Sequence, residues 1–410
     1  MSGNIQNQIP LTPTGGVDGP TDESSPTAER LTSGRAGRML VTLSVGWALI
    51  QMGRFVLSPL LPAIIDDLAI TEATAGLAFA ALGGVYALSQ FPSGRFSDPW
   101  TRATLIVPGL VVLVAGFVVL GVAESYAVFV AAAVVIGLGK GLFAIPSRAL
   151  VSDLYVARRG RALGVFAAGT DAGGLLASGI AVVVLASATW RAPFVPVAVA
   201  LTALTALFVR WSDEPYRVES TDLELEATVR RLVASGSQRR TLVAYSLFYF
   251  MVGGFISFFP TYLAQEKGFS PSLASVAFAV IFAVGFAVKP LAGDLSDRFR
   301  RQSVAAAGLG VAAVALVVLV VTTSTPVVWA SALVLAVGYK TQFPLADAIV
   351  MDDAPDGGMG ADLGAARALF LAASAVGPAY VGVAATYASY AVAFATLAAC
   401  LFVAALLVWR

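Results

Sequence analysis

Lys140 and Lys340 are charged side chains placed where charge is costly. Lys140 stands in "VVIGLGKGLFAIP" and Lys340 in "AVGYKTQFPL", both inside long apolar runs. An ammonium at the centre of an apolar membrane helix costs about 2.5–3.5 kcal/mol on insertion scales, so such a residue points to function by default. Arg54 and Asp171 lie in similar runs. These residue types suit anion chemistry. A guanidinium grips a carboxylate or phosphate through two parallel hydrogen bonds, and lysines act as point charges. Asp171 would fix the resting position of Lys140 or take up a coupling proton. Tyr86, Tyr249, Tyr339 and Gln342 can orient a ligand. Two bland alternatives stand beside this: Lys140 and Asp171 as a structural bridge, and Arg54 reaching outward to the membrane interface.

The elements that carry these residues are apolar helices. Hydrophobic residues make up 58% of the 410-residue chain and charged residues 12%, against about 45–50% and 25% in soluble domains. Apolar stretches long enough to cross a bilayer recur from end to end. The chain therefore reads as an all-α, multi-pass membrane protein with twelve spans: 39–63, 74–94, 103–123, 126–150, 162–186, 192–211, 241–264, 272–293, 303–323, 326–350, 364–386 and 388–409. Residues 1–37 read as a disordered polar tail without the short apolar core of a signal peptide. A linker over 212–240 divides the spans six and six. It contains "TDLELEATVRRLVAS", where Thr221 and Glu224 form a capping box that predicts a short interfacial helix. With both termini cytoplasmic, inner segments hold eighteen Lys or Arg and outer loops only Arg191 and Lys267. That bias fixes the orientation by the positive-inside rule. A plasma-membrane location and a monomeric state are expected.

There is no histidine and a single cysteine, Cys400. No internal disulfide, metal cluster or Ser/His/Asp set exists, and "GLGKG" lacks the spacing of a phosphate-binding loop. The sequence thus predicts no enzyme and no cofactor, and its near-neutral charge gives no reason to expect nucleic acid.

The two halves repeat. "PSGRFSDPWTRA" after span 2 aligns with "PLAGDLSDRFRRQ" after span 8, matching Gly94 with Gly293, Asp98 with Asp297 and Arg102 with Arg301. Lys140 matches Lys340 at nearly the same offset. This duplication defines two six-helix bundles, 38–211 and 241–410. The loop motif resembles the G-x-L-A-D-R-x-G-R-R signature of the major facilitator superfamily. Gly293, Leu295, Asp297, Arg298, Arg300 and Arg301 fit it well, whereas Pro99 replaces an arginine in the first copy.

The resemblance implies a secondary transporter working by alternating access, with spans 1, 4, 7 and 10 lining a central cavity. Arg54, Lys140 and Lys340 would then face one space against Asp171 alone, a positive excess that a small organic or inorganic anion would neutralise. A coupling proton or counter-anion fits the same scheme. The resemblance also implies that Gly94, Asp98, Arg102, Gly293, Asp297, Arg298 and Arg301 form a conformational latch, with Arg102 and Arg301 as partners of the aspartates or of lipid headgroups. Arg367, beside the acidic loop "MDDAPDGGMGAD", and Lys289 are expected in gating. Asp153 and Asp347 are expected near Arg148. Two departures count against a proton-driven drug exporter, the alternative reading: Ala133 stands where many exporters carry an arginine, and span 5 lacks a Gly-Pro motif. A third reading, a non-transporting receptor or scaffold, leaves the symmetric lysines unexplained.

Overall fold

The computed structural model describes residues 31–97, 100–219, 235–352 and 359–409. Asp98 and the predicted helix at Thr221–Glu224 lie outside them. The side chain of Asp297 does too, although its backbone is helical.

The first six spans are α1 (Gly34–Phe55) with its short extension α2 (Leu61–Leu68), α3 (Glu72–Ser97), α4 (Arg102–Gly121), α5 (Tyr126–Leu154), α6 (Arg159–Ser187) and α7 (Phe194–Trp211). The second six are α8 (Gly236–Glu266), α9 (Pro271–Arg298), α10 (Arg301–Val321), α11 (Thr325–Lys340) continued by α12 (Gln342–Asp352), α13 (Met359–Tyr387) and α14 (Tyr390–Trp409). Among the described residues, eleven helices are long and apolar enough to cross a membrane. The twelfth span is α1, whose hydropathy is diluted by Arg38, Gln51 and Arg54. Several helices outrun the apolar stretches. Residues 34–37, expected in the tail, already belong to α1, and α8 starts at Gly236, where the Ser235 hydroxyl caps the Gln238 amide at 3.0 Å.

Two helix breaks have a common cause. Proline lacks an amide proton and cannot bond the carbonyl four residues back. Pro59 cannot donate to the Phe55 carbonyl, which accepts from the Ser58 amide at 3.1 Å instead, and α1 ends at Phe55; Pro344 cannot donate to that of Lys340, and α11 ends at Lys340. The second break puts Lys340 at a helix end, whereas its mate Lys140 lies inside the continuous α5.

Packing repeats between the halves. The pairs α1/α6, α1/α7, α3/α5, α4/α5 and α4/α7 recur as α8/α13, α8/α14, α9/α11, α10/α11 and α10/α14. The two bundles meet along α3/α13 and α6/α9, themselves symmetry mates. At the end distant from the described N-terminus, the bundles are stitched together. The Ser58 hydroxyl lies 2.7 and 3.0 Å from the Ile256 and Ser257 carbonyls, and the Ala73 amide donates to the Thr386 hydroxyl at 3.0 Å. Gly76 and Gly382 let α3 and α13 touch there: a Cβ at Gly76 would run into the Pro378 carbonyl, and one at Gly382 into that of Glu72. At the same end Asp67 on α2 accepts from Arg191 at 2.6 Å and Trp190 at 3.1 Å. Those donors hold its carboxyl below the usual range. At the opposite end, Gly160, Gly164, Gly293 and Gly364 have no heavy atom within 4 Å of a side-chain position.

Candidate functional site

Between the bundles lies a cavity of about 390 Å³, within the range for small-molecule sites. Three cations from each bundle reach it: Arg54, Lys140 and Arg148 from α1 and α5, and Lys289, Lys340 and Arg367 from α9, α11 and α13.

Lys140 owes its position to its glycine neighbours. Gly137 and Gly141 bring α5 against α3, and Gly139 brings it against α4, where a Cβ would sit 2.8 Å from the Gly109 carbonyl. This close seating turns the lysine into the cavity, where it is only 4% exposed. Its ammonium lies 4.3 Å from the Tyr86 ring centroid and 5.4 Å from that of Trp47, and cation–π attraction offsets part of its desolvation. No carboxylate pairs with it among the described residues; the charges acting on it through space are Arg54 and Arg148. Arg54 lies 4.9 Å from the Phe55 ring. Arg148 lies near Trp47 and Phe166, at 5.9 and 6.0 Å.

The opposite wall is charge-paired. Lys340, 3% exposed, donates to Asp171 Oδ1 at 2.8 Å, and Lys289 donates to Asp171 Oδ2. The expectation that Asp171 serves Lys140 is therefore corrected. α6 packs against α1 and α9 far more than against α5, so its carboxylate crosses to the other bundle. Gly285 on α9 makes the room, since a Cβ there would lie 2.6 Å from Asp171 Oδ1. Arg367 pairs with Asp347 through one guanidinium edge, Nε donating to Oδ1 at 2.9 Å and Nη2 to Oδ2. Asp347 thus serves Arg367, not Arg148.

Among the described residues six cations stand against two carboxylates, an excess of four, and the three without an ion-pair partner all stand on the first bundle. The sequence reading undercounted because Arg148, Lys289 and Arg367 sit near the ends of the apolar stretches, where snorkelling is the ordinary explanation. Tyr86, Tyr249 and Tyr339 line the cavity. Gln342 does not. Fully buried at the start of α12, it turns its amide toward the Ala305 and Gly338 carbonyls, at 3.2 Å each.

Asp98 and the Asp297 side chain, the expected partners of Arg102 and Arg301, lie outside the described residues. Arg102 bonds Asp153 at 3.1 Å and Ser97 Oγ at 2.6 Å, while Arg301 bonds both oxygens of Asp352 at 2.6 and 2.7 Å. Arg102 and Arg301 are repeat mates, and each ties the start of one helix to the end of another within its own bundle. Gly94 has Ile145 nearby, at 3.6 Å, and Gly293 faces open space. Arg298 is exposed in the last turn of α9.

The relatives are transporters. A probable sulfoacetate transporter of Cupriavidus necator is 28% identical over 59% of this chain and 60% of its own length. A hexuronate transporter of Bacillus subtilis is 25% identical over 60% and 61%. A vesicular acetylcholine transporter of Rattus norvegicus is 30% identical over 49% and 38%. The chain thus spans about three fifths of the first two relatives. The structure of a D-xylose-proton symporter superposes with a TM-score of 0.75 at 17% identity, covering 92% of this chain and 98% of that one. The family model described as Major Facilitator Superfamily matches residues 43–365 and again 241–410. With the duplicated six-helix bundles and the central cavity, that match makes the chain a member of the Major Facilitator Superfamily.

Proposed function

We propose that this protein is a secondary transporter of a small anion, moved by alternating access through the central cavity. One observation carries the reading: Arg54, Lys140 and Arg148 face the cavity, and among the described residues no carboxylate forms an ion pair with any of them. An uncompensated buried charge is strongly unfavourable, and an anion that binds and leaves neutralises it without a permanent partner. The relatives alone do not choose the charge, since sulfoacetate and hexuronate are anions and acetylcholine is a cation. The cavity's charge excess supports an anion. A proton-driven exporter of amphipathic drugs would use Asp171 in a neutral, greasy space; here that carboxylate is engaged by two lysines. By the positive-inside bias the end bearing the described N-terminus faces the cytoplasm.

Purified protein in liposomes tests this with labelled carboxylates and sulfonates. Saturable uptake should fall at least tenfold in both Lys140→Gln and Arg54→Gln, with melting in detergent retained. Normal uptake in both variants would overturn the assignment.

A further inference from the structure

Arg54 borders two spaces. Besides the central cavity it lines a second, smaller void of about 20 Å³ at the stitched end. Ser58, Ile256 and Ser257, the residues of the stitch, form part of its wall, with apolar side chains from α1, the turn after it and α3. The stitch uses a helix defect. Pro260, inside α8, cannot donate to the Ile256 carbonyl, which accepts from the Ser58 hydroxyl of the other bundle at 2.7 Å. The void is therefore bounded by a contact between bundles, and its walls come from both of them.

Two residues of this wall carry donors without partners. Among the described residues the Arg54 guanidinium makes no ion pair or hydrogen bond, and all of its N–H donors are available. Ser257 is 6% exposed, and its hydroxyl has no hydrogen-bond partner among them either. No described carboxylate lines the void. A buried charge without a partner is strongly unfavourable. A space of this size admits roughly one particle as large as a water. A water would accept a hydrogen bond and leave the charge as it was. A monatomic anion accepts from both donors and cancels the charge, and polyatomic acids are too bulky to enter.

We propose that this void is a halide site, with chloride held by Arg54 and the Ser257 hydroxyl at the stitched end. It is distinct from the substrate site. Lys140 and Arg148 border the central cavity and not the void, and the planar guanidinium fork has N–H groups enough to serve both spaces. Because the walls come from both bundles, parting the stitches dismantles the site. Bound chloride therefore favours the state closed at this end, and its release accompanies opening. The site stands whatever solute the central cavity carries.

Chloride NMR on the purified full chain in detergent tests this, because the quadrupolar nucleus gives a broad line when bound to protein. The wild type should show broadening that saturates with chloride and is displaced by bromide. Arg54→Gln should weaken binding at least about thirtyfold and Ser257→Ala at least about fivefold, as loss of hydrogen bonds to a charged group does. Ser257→Ala keeps the carbonyl that Ser58 contacts, so the stitch survives. Lys140→Gln should weaken binding by no more than about fivefold, since it removes a charge that acts only from a distance. No saturable broadening in the wild type means that the void holds water alone, and overturns the proposal. Unchanged affinity in Ser257→Ala overturns it too. So does a loss in Lys140→Gln as large as in Arg54→Gln, which puts the ion in the central cavity. Liposome uptake keeps the two readings apart. Acid uptake without halide binding sinks only this site, and halide binding without acid uptake sinks only the transport reading.

Discussion

Removing the carboxylate of Asp171 would leave Lys340 and Lys289 facing each other with nothing between them. The pair is deeply buried, with side-chain exposures of 4% for Lys340 and 1% for Asp171, so solvent does little to screen it. Breaking a buried pair by deleting one partner costs about 3–5 kcal/mol, mostly because the other charge is stranded. Asp171→Asn should therefore lower the melting temperature in detergent sharply, and adding Lys340→Gln should restore part of the loss. Lys140→Gln removes an ammonium that has no carboxylate to strand, and its melting temperature should stay level or rise. A Lys140→Gln protein that melts as low as Asp171→Asn would contradict this asymmetry. Position in the repeat made both lysines visible in the sequence, because a charge in an apolar run is conspicuous wherever its neighbours fold. Their partners were not visible. Asp171 is 31 residues from Lys140 and 169 from Lys340, and chain proximity favoured the wrong one.

At the scale of elements, hydropathy marked the helices well because lipid leaves a spanning backbone no choice but to satisfy itself. It was blind to where helices pause. The break after Lys340 follows from Pro344, yet Pro146 sits inside α5 without ending it, so proline alone does not announce an interruption. Hydropathy also carries no record of which helix touches which, and the α6/α9 seam was illegible for that reason. Glycines report the seam once the fold is known. Gly285→Ala would press a methyl onto Asp171 and should destabilise by roughly 1–3 kcal/mol, as overpacking does. Gly293→Ala meets open space and should change stability by no more than about 0.5 kcal/mol. Chemical or thermal melting of the two variants side by side checks the contrast, and equal losses would mean that the seam does not confine Asp171.

The whole molecule is closed at one end and flanked by open space at the other. The stitched end has the Ser58 contacts, the Ala73–Thr386 bond and the α3/α13 glycine contacts. The ion cluster of Asp171, Lys289 and Lys340 joins the bundles across the other seam, where α6 meets α9. Transport by alternation requires the stitches to part while the cluster or its replacement holds, and a carboxylate cannot serve Lys340 and leave it free for substrate at once. An anion that displaces Asp171 from Lys340 would therefore loosen the join between bundles as it binds. Accessibility from each side of the membrane reads this out. In a Cys400→Ser background, Ala167→Cys on the cavity wall should react with a membrane-impermeant maleimide from the side bearing the described N-terminus. Ser58→Cys, 3% exposed in the wild type, should resist from the other side. Adding a transported anion should slow labelling at 167 and speed it at 58, because occupancy shifts the population toward the opposite opening. Labelling at 58 that is fast without substrate, and unchanged by it, would show that the stitched end is not the closed gate.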